Sequence, residues 1–552
     1  MYLLEKLEII TLVCGLLAGT GAVVALIKFN LHMFQLNGYK NGEHLHWIKK
    51  NARQFRILTL DGVLALAAVL LLWPLHLEIL SIAAKIVLLF YLVLTVWNYR
   101  YLNRSHTKKK LVYTSRVKRL LATELVVLAI LIGLAAVLSW FSSALLTGWL
   151  LIGVVLALMP CLPVVCNFLN SPMEKAVNQH FVNDALSRLR QMPDMKIIGI
   201  TGSYGKTSVK FYLKTLLEAR YSVLMTPESF NTPMGVVRTI REHLRPDHEI
   251  FLCEMGARHV GDIKEICDMV HPDWGVITSI GPQHLETFFT MENIVHTKFE
   301  LADALPDHGT LFLNGDCSYI TDYCDRYPNR VLYSAEEQRQ GGYYAKDIRV
   351  SELGTDFTVV SPEGEEARYQ TRLIGGHNVI NLVGAIAVAH RMGIPLEELK
   401  VPVRRLQPVP HRLQMRQQGN VTIIDDAYNS NPVGSKAAVE TLAMFEGVRI
   451  LVTPGMVELG DSEEEYNYKF GTYSAGCCDY VALVGERHTR PIRDGLLAEG
   501  FDETRIFTGE KLEDALQFAY GIREQGHKYI LLEDLIQAPT LLHIHYIANQ
   551  YY

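Results

Sequence analysis

The sequence has no cysteine pair at metal-binding spacing. Its nine cysteines are scattered without a C-x-x-C arrangement, so neither a structural zinc site nor a disulfide framework is indicated. It has no basic surplus either: 53 Lys and Arg stand against 58 Asp and Glu, a net charge of −5. That balance argues against nucleic acid as a partner, since binding a polyanion calls for a positive field. With 49% hydrophobic and 20% charged residues, disordered, collagen-like and low-complexity architectures are excluded. An enzyme or a membrane protein remains, and 552 residues point to several domains rather than one core.

Apolar residues crowd the N-terminal third. Five runs, near residues 7–27, 57–73, 77–97, 121–140 and 144–169, approach the roughly 20 residues that a helix needs to cross a bilayer. The second is short and carries Asp61, and the last contains Pro160 and Pro163, which kink or break a helix. The segment between the first two runs, with Lys28, Lys40, Lys49, Lys50, Arg53 and Arg56, and that between the third and fourth, from Arg100 to Arg119, are basic. The positive-inside rule would make both cytoplasmic. The expectation is a multi-pass cell-membrane protein with an outside N-terminus and everything after residue 170 in the cytoplasm. No small-residue cleavage site favours a signal peptide; a buried helical bundle is the other reading.

Past an amphipathic connector, strands and helices alternate. A strand over 196–201 runs into Gly202-Ser203-Tyr204-Gly205-Lys206-Thr207-Ser208 and a helix beginning near Thr207. Such a turn can wrap phosphates with backbone N–H groups while Lys206 neutralises charge and Thr207 reaches magnesium. The G-x-x-G-K-T spacing is two residues shorter than the general phosphate loop, and a hydroxyl-capped glycine turn is the bland alternative. Glu254 ends an apolar strand, where a carboxylate can reach magnesium at the edge of a parallel sheet, or it simply caps the next helix. His284 closes another strand and Lys298 lies on a helix. Alone, these are ordinarily a structural histidine and a solvated lysine.

The order of these segments, with Phe230-Asn231-Thr232-Pro233-Met234-Gly235 between the first two, resembles the central ATPase domain of the Mur ligases, the ATP-dependent amide-forming enzymes of peptidoglycan synthesis. Ile374-Gly375-Gly376-His377-Asn378-Val379, Pro410-His411-Arg412-Leu413 and Asp425-Asp426-Ala427-Tyr428-Asn429-Ser430-Asn431-Pro432 resemble later segments of the family, closest to its MurF-type branch, which adds D-alanyl-D-alanine to a muramoyl tripeptide. The likeness covers about residues 196–532. Taken with the apolar runs, which give transmembrane helices over 1–170 and a connector over 171–195, the expectation is a membrane-anchored α/β protein, for which the resemblance implies a central phosphate-loop α/β domain over 196–408 and a Rossmann-like α/β domain over 409–552. It implies ATP and two Mg2+ as cofactors, with Gly202 to Ser208, Asn378, Arg412 and Asp426 around the nucleotide. Thr207, Glu254, His284 and a carbamylated Lys298 would serve the metal, Lys206, His284 and Lys298 catalysis, and Asn231 and Thr232 the substrate.

Three departures bear on the substrate. The apolar runs stand where MurF-type enzymes carry a uridine-binding domain. Thr453-Pro454-Gly455-Met456 replaces the usual Gly-Asp ahead of the Met, and Glu533-Asp534 stands where a basic segment is usual. An acidic strand end repels a carboxylate and favours an amine. The acceptor expected is therefore a peptidoglycan precursor, either a small molecule or lipid-linked at the membrane, and the donor an amino acid or dipeptide, with contacts to other cell-wall enzymes open. A different acid–amino acid ligase of the family, a non-catalytic membrane scaffold and a nucleotide-driven transporter are the rivals.

Overall fold

A computed structural model describes residues 23–51, 111–142, 159–227, 230–335, 341–351, 353–427, 431–457, 459–522 and 526–533. The chain divides into two compact units, Met1–Gln179 and His180–Tyr552. The helix Leu162–Leu189 runs through the point of division, so residues 171–189 of the expected connector are helical.

In the first unit the helix Asn41–Lys50, the helix Ser115–Ser142 and the start of Leu162–Leu189 surround a core of Leu31, Phe34, Val117, Leu120, Leu128 and Cys166. Arg119 Nε and Nη2 grip both carboxylate oxygens of Glu174 at 2.7 and 2.8 Å, and the Thr123 hydroxyl donates to Asn170 Oδ1 at 2.9 Å. Among the described residues no helix is long and apolar enough to cross a membrane. This overturns the expected membrane-anchored fold with its N-terminal transmembrane helices, and with it the multi-pass membrane localisation. The physical reason is visible on the helix that contains the run at 121–140. Its first ten residues include Arg116, Lys118, Arg119 and Glu124, Arg119 is tied to a neighbouring helix, and Leu120 and Leu128 are used in helix-to-helix packing. The runs at 57–73 and 77–97 lie outside the described residues, as do most of those at 7–27 and 144–169.

The second unit is built on two sheets. The first contains β1 (Lys196–Thr201), β2 (Val223–Met225), β3 (Ile250–Glu254), β4 (Trp274–Ile277), β5 (Thr310–Asn314), β6 (Arg330–Ser334), β7 (Tyr343–Ser351), β8 (Gly354–Val360) and β9 (Glu366–Thr371). Their order is β2-β3-β1-β4-β5-β6-β7-β8-β9; the pairs are parallel as far as β7 and antiparallel beyond it. Strand β1 reads Lys-Ile-Ile-Gly-Ile-Thr and is buried from Ile197 onward, the near-continuous apolar pattern of a strand covered on both faces. From β1 the chain first moves to one side, to β2 and β3, and then crosses to β4 on the other. The carboxyl end of β1 is thus a topological switch point, where open parallel sheets bind their ligands.

The second sheet joins β10 (Gln414–Gln418), β11 (Val421–Asp426), β12 (Val448–Thr453), β13 (Tyr480–Val484), β14 (Ile506–Gly509) and β15 (Lys528–Glu533) in the order β10-β11-β15-β12-β13-β14. All its pairs are parallel except β10 with β11.

Helix Lys206–Leu217 carries the phosphate loop into the core. Val209, Leu213, Leu216 and Leu217 share one cluster with Val379, Leu382, Val383 and Ile386 of helix Gly376–Arg391. Leu213 is wholly buried there, so Leu213→Ala should destabilise the second unit by about 2–5 kcal/mol through lost burial and a residual cavity. Chemical denaturation read by tryptophan fluorescence, with Trp274 in this sheet, measures it. A change under about 0.5 kcal/mol, the range of surface substitutions, would contradict that packing.

Candidate active site

The loop after β1 is held by the segment that follows β4. Gly202 has φ +147°, and a Cβ there would lie 2.2 Å from Thr278 Oγ1. The Ser203 N–H donates to Ser279 O at 2.5 Å. Its buried hydroxyl donates to Gly281 O at 3.0 Å and accepts from Gly281 N–H at 3.1 Å. Tyr204 donates its hydroxyl to Pro282 O at 2.7 Å, while the Thr278 hydroxyl donates to the Tyr204 carbonyl. Gly205 turns into the helix with φ +80°, and a Cβ there would stand 2.5 Å from Asn381 Oδ1. Only glycine meets both demands at these two positions. The orphan N–H groups of the helix start, among them those of Thr207 and the buried Ser208, make a cradle for phosphate oxygens.

Lys206 lies back on this loop, its Nζ donating to Gly202 O at 2.7 Å and Ser203 O at 3.0 Å. Burial pushes its ammonium down to about 8, with Glu254 opposing and Arg412 adding to the shift. A nucleotide phosphate would replace those two carbonyls with a stronger, charged partner.

Glu254, at the end of β3, is 1% exposed. Its Oε1 accepts the Thr207 hydroxyl at 3.1 Å and the Asn231 amide at 3.3 Å. Its Oε2 lies 2.8 Å from Nζ of Lys210. Burial pushes the carboxyl up, but Lys210 and Lys206 more than reverse this and hold it below the usual carboxylate range. The pair of hard oxygens, Thr207 Oγ1 and Glu254 Oε1, suits magnesium. Neighbouring ligands of an octahedral ion bound at about 2.05 Å stand about 2.9 Å apart, close to the separation found.

The remaining expected residues are distributed around this centre. Thr232 caps helix Pro233–His243, accepting from Gly235 N–H at 3.3 Å. His284 has φ +52° and starts the short helix Leu285–Phe288. Lys298, on helix Met291–Asp303, is 2% exposed. Burial, and then Lys206, push its amine down to about 7, against Glu300 and Asp262. Glu300 itself accepts the N–H groups of Gly261 and Lys264 at 2.7 and 2.9 Å. Among the described residues no three His, Cys, Asp or Glu side chains gather in a metal-binding group; His284 and Lys298 do not join Glu254 in one.

From the second sheet, the turn Pro410-His411-Arg412-Leu413 reaches the same centre. His411 and Leu413 have φ +60° and +47°. Asp425 Oδ2 lies 2.9 Å from His411 Nδ1, and Asp426 Oδ1 accepts Leu413 N–H at 3.1 Å. The charge of Arg412 is felt at Lys206 and at His377, whose imidazole is pushed down to about 4 by burial and by that guanidinium. Asn378 accepts the Tyr212 hydroxyl at 2.7 Å and donates to Ile374 O at 2.7 Å, so its amide holds the fold together at the helix start.

Two residues of this centre were missed by sequence reasoning. Lys210 follows Lys206 by one helical turn on a face otherwise made of Val209, Tyr212 and Leu213, and a lysine among core positions is the signal that it has a buried partner. Asn381 follows Asn378 by three residues, which places both on one side of a helix, and it is the side chain that lies against Gly205. Tyr428 to Ser430, Glu458 and everything after residue 533 lie outside the described residues.

Comparison with known proteins identifies the family of domains to which these segments belong. Residues 200–389 match the Mur ligase middle domain and residues 411–532 the Mur ligase glutamate ligase domain. The chain is similar to the UDP-N-acetylmuramoyl-tripeptide–D-alanyl-D-alanine ligases of Escherichia coli strain K12, 29% identical over 63% of this chain and 78% of that one, and of Bacillus subtilis strain 168, 29% identical over 67% and 83%. Among solved structures it resembles MurF from Acinetobacter baumannii, with a TM-score of 0.60 and 24% identity over 67% of this chain and 79% of that one. It also resembles a MurF ligase from Thermotoga maritima solved in complex with ADP, with a TM-score of 0.59 and 24% identity over 68% and 83%. At this identity the structural likeness concerns the fold.

The cradle makes a direct demand on Gly205. Gly205→Ala should weaken ADP binding by about tenfold or more, because the added methyl strains a left-handed residue and displaces Asn381. Titration calorimetry with ADP checks this, and wild-type affinity would show that the loop does not hold phosphate in this conformation.

Proposed function

The chain belongs to the Mur ligase family and is an ATP-dependent ligase of peptidoglycan precursor synthesis; from that premise we propose that it joins D-alanyl-D-alanine, or a similar amine, to the terminal carboxylate of a muramoyl peptide. The observation that carries this reading is the contact of Thr207 with Glu254 beside Lys206 and the glycine cradle. It is a place built for a metal-bound triphosphate end. Residues 196–408 would be the ATP-binding domain and 409–552 the domain that closes over it.

An acid and an amine do not condense at neutral pH without activation. In the first step the acceptor carboxylate oxygen attacks the γ-phosphorus and the bond to the β-phosphate oxygen breaks, giving an acyl phosphate and ADP. In the second the amine nitrogen attacks the acyl carbon, the bond from that carbon to the phosphate-bearing oxygen breaks, and inorganic phosphate leaves as the nitrogen loses a proton. The protein's part is positioning and charge. The N–H groups from Tyr204 to Ser208, on a loop anchored through Ser203, orient the phosphates, and Lys206 turns from its carbonyls to the transferring phosphoryl. Thr207 and Glu254 would hold Mg2+, with His284 assisting; the metal supplies charge neutralisation on the phosphate oxygens. Arg412 and Asp426 would approach the nucleotide from the second sheet, Asn378 would keep the adenine side of the cleft in shape through Tyr212, and Asn231 and Thr232 would border the acceptor.

Lys298 would become a carbamate. Its neutral amine nitrogen attacks the carbon of CO2 and sheds a proton, turning a cation into an anionic oxygen ligand for a second magnesium. An amine pushed down to about 7 is mostly protonated below that pH and mostly neutral above it, so carbamylation is open at neutral pH, where an ordinary lysine is nearly all charged.

A second reading, a family ligase with a different donor or acceptor, is favoured by one feature: Asp426 and Glu533 are register partners at the ends of β11 and β15. Acidic residue types at both of these strand ends suit an incoming amine better than a carboxylate.

Incubation with ATP, Mg2+, UDP-muramoyl tripeptide and D-alanyl-D-alanine should release phosphate and yield the pentapeptide by mass spectrometry. Lys206→Ala should lower kcat/KM by at least about a hundredfold. Phosphate release without any amide, across a panel of amino acids and dipeptides, would refute the reading. Added bicarbonate should stimulate the wild type more at about pH 8 than at about pH 6, following the neutral fraction of Lys298, and a Lys298→Arg variant should not respond.

A further inference from the structure

Lys206 and Lys210 stand one turn apart on the same helix and are used differently. Lys206 rests on loop carbonyls that a phosphate can replace. The ammonium of Lys210 is wholly buried against Glu254 Oε2 at 2.8 Å, with 0% and 2% of the two side chains exposed. The two oxygens of Glu254 are thereby divided. Oε2 faces the ammonium, and Oε1 faces Thr207 and Asn231.

We propose that Lys210 is a positioning residue that neutralises Glu254 in the nucleotide-free enzyme, so that the divalent cation enters only together with the phosphates of its nucleotide. This rests on Glu254 and Thr207 being metal contacts, as argued above. A lone buried carboxylate attracts a divalent ion strongly, because little water screens it. A carboxylate already paired with an ammonium carries no net charge, and that ammonium repels a second cation brought to the other oxygen. Phosphate oxygens supply the negative charge that the pair lacks. With Oε2 engaged, Glu254 also offers a single oxygen, which suits the strict octahedron of magnesium.

Mn2+ binding to the full chain tests this, followed by electron paramagnetic resonance of the free ion and by water proton relaxation, which separates the ternary complex from Mn·ADP. The wild type should bind Mn2+ at least about tenfold more tightly with ADP than without. Lys210→Met, nearly isosteric and uncharged, should gain a nucleotide-free site at least about tenfold tighter than the wild type has. The K210M/E254Q double variant, an uncharged pair of the same shape, should lose that gain. A K210M protein with a wild-type melting temperature but unchanged or weaker nucleotide-free Mn2+ binding would overturn the proposal. Equal Mn2+ affinity of the wild type with and without ADP would do the same, whether or not K210M folds. No Mn2+ bound by the wild type even with ADP would instead remove the metal reading itself, and this proposal with it.

Discussion

A carboxylate removed from water has to find its compensation inside the protein, and Glu254 finds it from three sides. The ammonium of Lys210, the hydroxyl of Thr207 and the amide of Asn231 converge on one side chain that is 1% exposed. The first two come from the phosphate-loop helix and the third from the segment that precedes the next helix, while Glu254 itself ends β3. A single buried charge therefore ties together the elements that border the cleft. An uncompensated carboxylate there would be strongly destabilising, so the relative placement of loop, helix and strand is constrained electrostatically as well as by packing. The cradle inherits its geometry from that constraint, because Thr207 is at once the first turn of the helix and a partner of Glu254.

The phosphate loop was legible because its chemistry is local. Two glycines, a lysine and a hydroxyl within six residues, after an apolar strand, leave few other uses for that backbone. The alternation of strands and helices past residue 196 was equally legible from periodicity. Lys210 and Asn381 were not, because what identifies each is a partner far away in sequence: Glu254 for one, Gly205 for the other. Reading along the chain sees a lysine on a helix and assigns it to solvent. The sheet order places β3 beside β1, and only then does that lysine meet its carboxylate.

The N-terminal unit shows the opposite failure, where a strong local signal misdirected the reading. Hydropathy counts apolar residues in a row but not where each one points. On helix Ser115–Ser142, Leu120 and Leu128 face a helical core with Phe34 and Cys166, while Arg119 and Thr123 make polar contacts with the facing helix. Glu124 is buried on the same helix, its carboxyl pushed up to about 8 by that burial. Contacts of this kind belong to helix packing, although Leu125, Val126 and Ile130 of the same helix are exposed. The positive-inside count rested on that same assignment of the runs and so offered no independent check.

Between the two sheets of the second unit, the backbone makes a costly choice. His411 and Leu413 both occupy the left-handed region, which is unfavourable by about 1–2 kcal/mol for each non-glycine residue. Such a turn persists when its surroundings over-determine it. Here they do: Asp425 engages His411, Asp426 takes the Leu413 N–H, and Asp425 also accepts the N–H of Ala427. Both aspartates end β11, so the turn is clamped to the second sheet, and Arg412 is carried between two constrained residues. The charge of Arg412 acts on Lys206 and His377 on the first sheet's side of the cleft. The clamped turn is thus where the second sheet's aspartates offset backbone strain beside a residue whose positive charge acts on the first sheet's side.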